Sequence, residues 1–207
     1  MRIAVVTGNP KPASRTHGAA LAVADVLAAE LARPAVPAAD LARPAAPAEA
    51  QAPPAGAAPA AVPLVPSAEP AHLVVDLAEH APSLFDWSAA ELSRLTAEVA
   101  AADVAVFASP TYKAAYTGML KAFLDRYGNN GLAGVVAVPV MTGGWPGHLL
   151  AVEVHLRPVL VELGATVPAR GLYVTEPEFA TLDAAIAKWA ESAVPLIRRA
   201  VRSTSPA

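Results

Sequence analysis

The stretch IAVVTGNPKPASRT, residues 3–16, decides the fold. It begins with a short β-branched apolar run, Ile3–Val6, which is typical of a buried strand. A loop that carries glycine and prolines follows, and a helix with one apolar face is predicted from about Thr16 to Ala32. A strand whose small-residue loop opens a helix is the usual start of a βαβ unit. This stretch therefore predicts a parallel sheet.

The rest of the chain repeats the alternation of strand and helix. Further strands are predicted at His72–Leu77, Val104–Ala108, Val135–Val140 and Gly171–Val174, and further helices at Ser88–Ala101, Thr117–Tyr127, Gly147–Leu163 and Leu182–Val201. Five strands alternating with five helices indicate an α/β domain whose parallel sheet has helices on both faces. Because crossovers are right-handed, few topologies remain, and we predict the doubly wound order 2-1-3-4-5.

Two local features refine the helices. Ser88 precedes Glu91 by three residues, the spacing of a capping box, so Ser88 is the predicted N-cap of its helix. Pro158 falls inside the predicted helix Gly147–Leu163, where it cannot donate to the preceding turn. A kink or bulge is predicted there, and such bulges often lie at functional or assembly surfaces.

Residues 33–70 differ from the rest of the chain. They contain ten prolines, many alanines and no aromatic residue. Proline removes backbone donors, and alanine buries too little apolar area to offset the cost of ordering. We predict a mostly disordered surface insertion within one domain, residues 1–207, because the strand pattern before it needs the pattern after it. A partner-recruiting arm is the alternative interpretation.

Composition excludes several classes of protein. The chain has no cysteine, which rules out disulfides, thiolate metal sites and a cysteine nucleophile and fits a reducing compartment. A net charge of -3 does not indicate a nucleic-acid partner. No stretch approaches the roughly 18 apolar residues that span a bilayer, and the first residues lack a signal-peptide pattern. We expect a soluble cytoplasmic protein with no membrane partner.

Three irregular loops follow the first, third and fourth strands, so the predicted topology brings them to one edge of the sheet. The first has hydroxyls (Ser14, Thr16) and cations (Lys11, Arg15) at a helix start, which suits a phosphate. It is neither GxGxxG nor a Walker sequence, and a polar N-cap with solvated cations is the alternative. The Gly143–Gly144 pair of the third loop permits close backbone approach to a ligand.

Two longer motifs identify a family resemblance. SPTYKAAYTGMLKAFLD, residues 109–125, resembles the signature of NAD(P)H-dependent FMN reductases, which have a flavodoxin-like fold. TGGWPGHLLAVE, residues 142–153, together with Leu156–Leu160, is similar to the sulfonate-assimilation branch, whose members supply reduced flavin to a partner monooxygenase. The resemblance implies FMN and NADPH or NADH as cofactors, and commonly a homodimer or homotetramer.

The resemblance also implies a set of cofactor-binding residues. In the first loop, Ser14 and Thr16 donate hydroxyls to the FMN phosphate and Arg15 supplies a counter-charge, with Asn9 and Lys11 where the family often has Ser and Arg. Pro110, Thr111, Tyr112 and Lys113 follow the ribityl chain and the ring edge. Thr142, Gly143 and Gly144 meet the pyrimidine side of the flavin.

Hydride passes directly from nicotinamide to flavin, so we expect no catalytic acid or base and no metal. Backbone N–H groups around Thr111–Lys113 and Gly143–Gly144 are candidates for stabilising negative charge on the reduced ring. Two other functions stay open on the same scaffold. One is a quinone or azo reductase that retains FMN, and the other is a flavodoxin-type electron carrier.

Overall fold

A computed structural model describes residues 1–33 and 72–204. A five-stranded parallel sheet in the order β2-β1-β3-β4-β5 forms its centre. The strands are β1 (Ile3–Thr7), β2 (His72–Asp76), β3 (Val104–Pro110), β4 (Val136–Gly143) and β5 (Leu172–Thr175). The predicted order is confirmed, and it is the doubly wound, flavodoxin-like arrangement.

Helices cover both faces of the sheet, as predicted. They are α1 (Arg15–Ala32), α2 (Ala90–Ala100), α3 (Gly118–Leu124), α4 (Arg157–Glu162) and α5 (Leu182–Thr204). Alternate strand residues point to opposite faces. Val5 and Val106 pack with α1 and α5, whereas Val6 and Phe107 pack with α2, α3 and α4. Burial on both faces explains why the strands are continuous apolar runs.

The single helix predicted at Gly147–Leu163 is wrong in detail. A 3-10 turn covers Pro146–His148, a π-helix covers Val152–Leu156, and only the last part is the α-helix α4. Pro158 lacks the N–H that an α-helix needs at this point. The N–H of Arg157 donates instead to the carbonyl of Val152, five residues back. The bulge predicted from Pro158 is therefore confirmed as a π-helix.

The predicted capping box is also wrong. The N-cap of α2 is Ala89, and within residues 1–33 and 72–204 no side chain makes a capping hydrogen bond to this helix. Ser88 instead donates its N–H and its hydroxyl to Oδ1 of Asp86, at 2.9 and 2.6 Å. Since this local turn engages Ser88, the helix starts two residues later than predicted.

The remaining differences are short. β1 and β5 extend one residue past their predicted ends, β3 extends two residues, and β4 and α5 extend three. β2 and α2 end one residue early, and α3 ends three residues early. Apart from Arg33, the insertion predicted at residues 33–70 lies outside the described residues. Of the helices within the described ranges, none combines the length and the apolar character that crossing a membrane requires.

Candidate functional site

A cleft of about 310 Å³ opens at the carboxyl ends of the strands. Four loops border it, and we name them after the strands they follow: the β1 loop (residues 8–14), the β3 loop (111–117), the β4 loop (144–150) and the β5 loop (176–181). Of the predicted site residues, only Lys113 does not line the cleft. The others are brought together: Asn9, Lys11, Ser14, Arg15, Thr16, Pro110, Thr111, Tyr112, Thr142, Gly143 and Gly144.

The β1 loop is anchored to the end of the neighbouring strand β2. Ala13 has a φ of 47°, in the left-handed region that non-glycine residues rarely adopt. Its N–H donates to Oδ2 of Asp76 at 2.9 Å, and Oδ1 of Asp76 accepts the N–H of Ala78 at 3.2 Å. Asp76 is only 6% exposed. Its carboxylate is therefore a buried anchor for the loop, and sequence reasoning missed it.

Ser14 is the N-cap of α1, and its hydroxyl accepts the N–H of His17 at 3.2 Å. The N–H groups of Arg15 and Thr16 then have no acceptor among the described residues. A helix of 18 residues concentrates positive potential at this end. Together with Lys11 on the loop, the start of α1 has the properties of an anion site.

A buried polar chain joins the β1 loop to β4. Nδ2 of Asn9 donates to Oγ1 of Thr16 at 3.3 Å, and the Thr16 and Thr142 hydroxyl oxygens lie 2.8 Å apart. Oδ1 of Asn9 accepts the N–H of Lys11 at 3.0 Å. The family resemblance makes the Thr16 hydroxyl a phosphate donor, but here it is engaged inside the protein and 2% exposed. The backbone N–H groups of the first turn of α1 are better placed to donate.

The β3 loop contains a tight hairpin turn. Tyr112 and Ala115 exchange two backbone hydrogen bonds, of 2.9 and 3.1 Å. Between them, Lys113 and Ala114 have φ values of 51° and 65°, as a type I′ turn requires. Lys113 lies exposed at the tip of this turn, outside the cleft lining. The sequence did not reveal this turn because its central residues are not the usual Asn and Gly.

The β3 loop presents a hydroxyl rather than the predicted N–H groups. The Thr111 N–H donates to the Thr142 carbonyl at 2.6 Å, and the Tyr112 N–H is used in the hairpin turn. The prediction that these two N–H groups stabilise a reduced ring is therefore wrong. Oγ1 of Thr111, by contrast, is buried with no hydrogen-bond partner among the described residues. An unsatisfied hydroxyl in a cleft lining favours a polar ligand.

Gly143, the last residue of β4, and Gly144, the first residue of the β4 loop, have different roles. A Cβ on Gly143 would lie 2.0 Å from the Tyr173 hydroxyl, so this glycine is required by internal packing. A Cβ on Gly144 would meet nothing within 4 Å, so only Gly144 leaves room for a ligand. Trp145 is 62% exposed and does not line the cleft.

The β5 loop forms a wall that sequence reasoning missed. Glu176 and Phe179 line the cleft. Nη1 of Arg15 lies 2.8 Å from Oε1 of Glu176, and the guanidinium carbon lies 5.0 Å from the centre of the Phe179 ring. The hydrogen bond with Arg15, and then its charge, lower the pKa of Glu176, while the same contacts raise the pKa of Arg15. Both groups are charged at neutral pH.

Residues 1–179 match the family model of the NADPH-dependent FMN reductases. The chain belongs to this family. Its resemblance to the FMN reductase (NADPH) of Escherichia coli K12 is 40% identity over 87 residues, 42% of this chain and 46% of that protein. The NADH-dependent FMN reductase SfnF of Pseudomonas putida is 33% identical over 94 residues, 45% of this chain and 50% of that protein. The chain thus spans about half the length of these relatives.

A solved structure agrees with this membership. The apo form of an NADH:FMN oxidoreductase superimposes with a TM-score of 0.66 at 26% identity, covering 100% of this chain and 91% of that one. This structural match extends through α5, beyond residue 179 where the family match ends.

The cleft of this FMN reductase family member fits FMN. Its volume lies at the lower end of the range for small-molecule sites, roughly 300–1,000 Å³. A phosphate suits the start of α1 beside Lys11 and Arg15. The unpartnered hydroxyl of Thr111 offers a hydrogen bond to the polar part of the ligand, and Gly144 leaves space for a flat ring.

Proposed function

We propose that this chain is an NAD(P)H-dependent FMN reductase that binds FMN in the cleft described above. The observation that carries the proposal is the start of α1, which combines two cations with N–H groups that have no acceptor among the described residues and so suits an anion. Within the same described part of the chain, the nearby Thr111 hydroxyl of the cleft lining also has no partner. The family membership and the names of the relatives support it. Membership leaves the preference between NADH and NADPH open, since the relatives include both kinds.

FMN supplies the redox chemistry, by accepting a hydride from the reduced nicotinamide. The residues of the chain bind and orient. The first turn of α1, with Lys11 and Arg15, holds the phosphate. Thr111 holds the polar part of the flavin with its hydroxyl. Gly144 would leave room for a flat ring, and Asp76 maintains the shape of the β1 loop. No side chain is required as an acid or base.

The testing experiment is an anaerobic assay of purified protein with NADH or NADPH and an excess of free FMN, followed by nicotinamide absorbance. We expect turnover of many equivalents of FMN, with reduced flavin recovered in the filtrate after anaerobic ultrafiltration. Reduction of one equivalent or less, with flavin retained on gel filtration, contradicts a flavin-releasing reductase. In that case, turnover with quinone or azo acceptors would indicate a reductase that retains FMN, and no turnover would favour an electron carrier.

The biological setting belongs to the same proposal. We place the protein in the cytoplasm, as a homo-oligomer that supplies reduced flavin to a partner monooxygenase. A cysteine-free chain fits a reducing compartment. Exposed apolar side chains on and after the β4 loop, at Trp145, Leu149, Leu150 and Val154, support self-association. Light scattering after size-exclusion chromatography measures the oligomeric state, and a monomer at all protein concentrations contradicts the proposed homo-oligomer.

A further inference from the structure

The start of α1 carries an ion pair that faces the proposed phosphate site. Arg15 is the first residue of α1, and Glu176 is the first residue after β5. Their side chains meet at 2.8 Å across the cleft wall and are both more than half exposed. The Phe179 ring lies 5.0 Å from the guanidinium and supports it in this position.

Glu176 is the only acidic side chain among the described residues that line the cleft, against the cations Lys11 and Arg15. The Glu176 N–H donates to the carbonyl of Gly143 at 2.9 Å, which ties the start of the β5 loop to the end of β4. A phosphate that binds the start of α1 approaches the same guanidinium. To pair with this guanidinium the phosphate must displace the carboxylate, and the loss of the Arg15–Glu176 ion pair lowers the net affinity.

We propose that Glu176 competes with the FMN phosphate for Arg15 and so weakens the hold of the site on flavin. This inference rests on the proposed function. A reductase that releases flavin at each turnover needs a phosphate site that orients FMN without retaining it. The arrangement also implies that the effect depends on the phosphate, because riboflavin presents no anion to this ion pair.

Glu176→Gln removes the charge and keeps nearly the same shape. We expect the dissociation constant for FMN, measured by calorimetry on the flavin-free protein, to fall about two- to fivefold, as for exposed ion pairs. Riboflavin affinity should stay unchanged. Glu178→Gln is the matched control: Glu178 lies in the same loop but outside the cleft lining, and its carboxylate accepts two hydrogen bonds from Thr175 that Gln can also accept.

A double-mutant cycle separates competition from general charge effects. In an Arg15→Met background, Glu176→Gln should no longer alter FMN affinity. Unchanged or weaker FMN binding by Glu176→Gln overturns the inference. The inference is also overturned if Glu178→Gln raises FMN affinity as much as Glu176→Gln does, or if Glu176→Gln raises FMN affinity equally in the Arg15→Met background. An equal rise in riboflavin affinity overturns it as well. If wild type reduces FMN and these results are nevertheless obtained, only the inference fails. If wild type binds no FMN, the proposed function fails with it.

Discussion

The β1 loop and the β4 loop border the same cleft but are built in opposite ways. Buried polar contacts hold the β1 loop: Asp76 binds Ala13, and Asn9 binds both Lys11 and Thr16. In the β4 loop, no side chain makes a hydrogen bond among the described residues. Instead Trp145, Leu149 and Leu150 are 62%, 42% and 60% exposed.

The difference separates two tasks. A site for a charged group needs fixed donors, because donors that must reorganise bind an anion less tightly. Buried hydrogen bonds supply that rigidity at the β1 loop. A surface for a flat ring or a second chain needs accessible apolar area instead, and the β4 loop offers it. Substitutions in the two loops should therefore affect different properties.

The largest effect is expected from Asp76→Ala, which breaks the anchor of the β1 loop. The N–H groups of Ala13 and Ala78 lose their buried acceptor, and the free energy of unfolding should fall by about 3 kcal/mol in urea denaturation. FMN affinity should fall roughly tenfold as the loop loses its shape.

Asp86→Ala is the control for this change, since Asp86 makes a similar turn with Ser88 in an exposed place outside the cleft lining. It should cost much less stability and leave FMN affinity unaltered. An Asp76→Ala protein that binds FMN like wild type would show that the loop keeps its shape without the carboxylate.

The next effect distinguishes Gly143, at the end of β4, from Gly144, at the start of the β4 loop. Gly143→Ala forces the Tyr173 hydroxyl to move and should cost about 2 kcal/mol of unfolding free energy. Gly144→Ala should change stability by less than about 0.5 kcal/mol but weaken FMN binding, because its methyl group enters open space at the cleft. Thermal denaturation of both variants measures the stability changes, and FMN titration measures the change in affinity. Equal stability losses would mean that Gly144 is packed too.

A smaller effect, of opposite sign, is expected in the β1 loop. Ala13→Gly relieves the left-handed φ of 47° and should raise the free energy of unfolding by about 0.5–1 kcal/mol. Ala19→Gly, in the buried interior of α1, is the control and should destabilise. Loss of stability in Ala13→Gly would show that the loop is unstrained, and the anchor role of Asp76 would weaken with it.

The smallest effect is expected in the β4 loop. Leu150→Ser should change unfolding free energy by no more than about 0.5 kcal/mol at low protein concentration, because the side chain is 60% exposed. At high concentration the variant should self-associate less than wild type. A loss of several kcal/mol at every concentration would instead mean that this loop packs inside one chain.

Much of the site was predictable because strand ends in a parallel sheet lie at one edge. Once the strand order was inferred, the loops with Ser14, Thr111 and Gly143 had to meet. Lys113 lies outside the cleft lining because its position depends on a turn with two positive φ values at non-glycine residues, which the sequence did not reveal. Glu176 and Phe179 were missed. They could have been found, because they follow the end of β5, which lies at the same edge of the sheet as the ends of the other strands.

Sequence alone determined the order of the sheet, because apolar runs buried on both faces leave few arrangements, and it placed the bulge at Pro158. Only the tertiary structure decided which polar groups face a ligand. The hydroxyls of Thr16 and Thr111 look alike in the sequence. The first is engaged by Asn9 and Thr142, whereas the second has no partner in the part of the chain that the structure describes. Hydrogen bonds between distant residues make that difference, and spacing along the chain does not encode them.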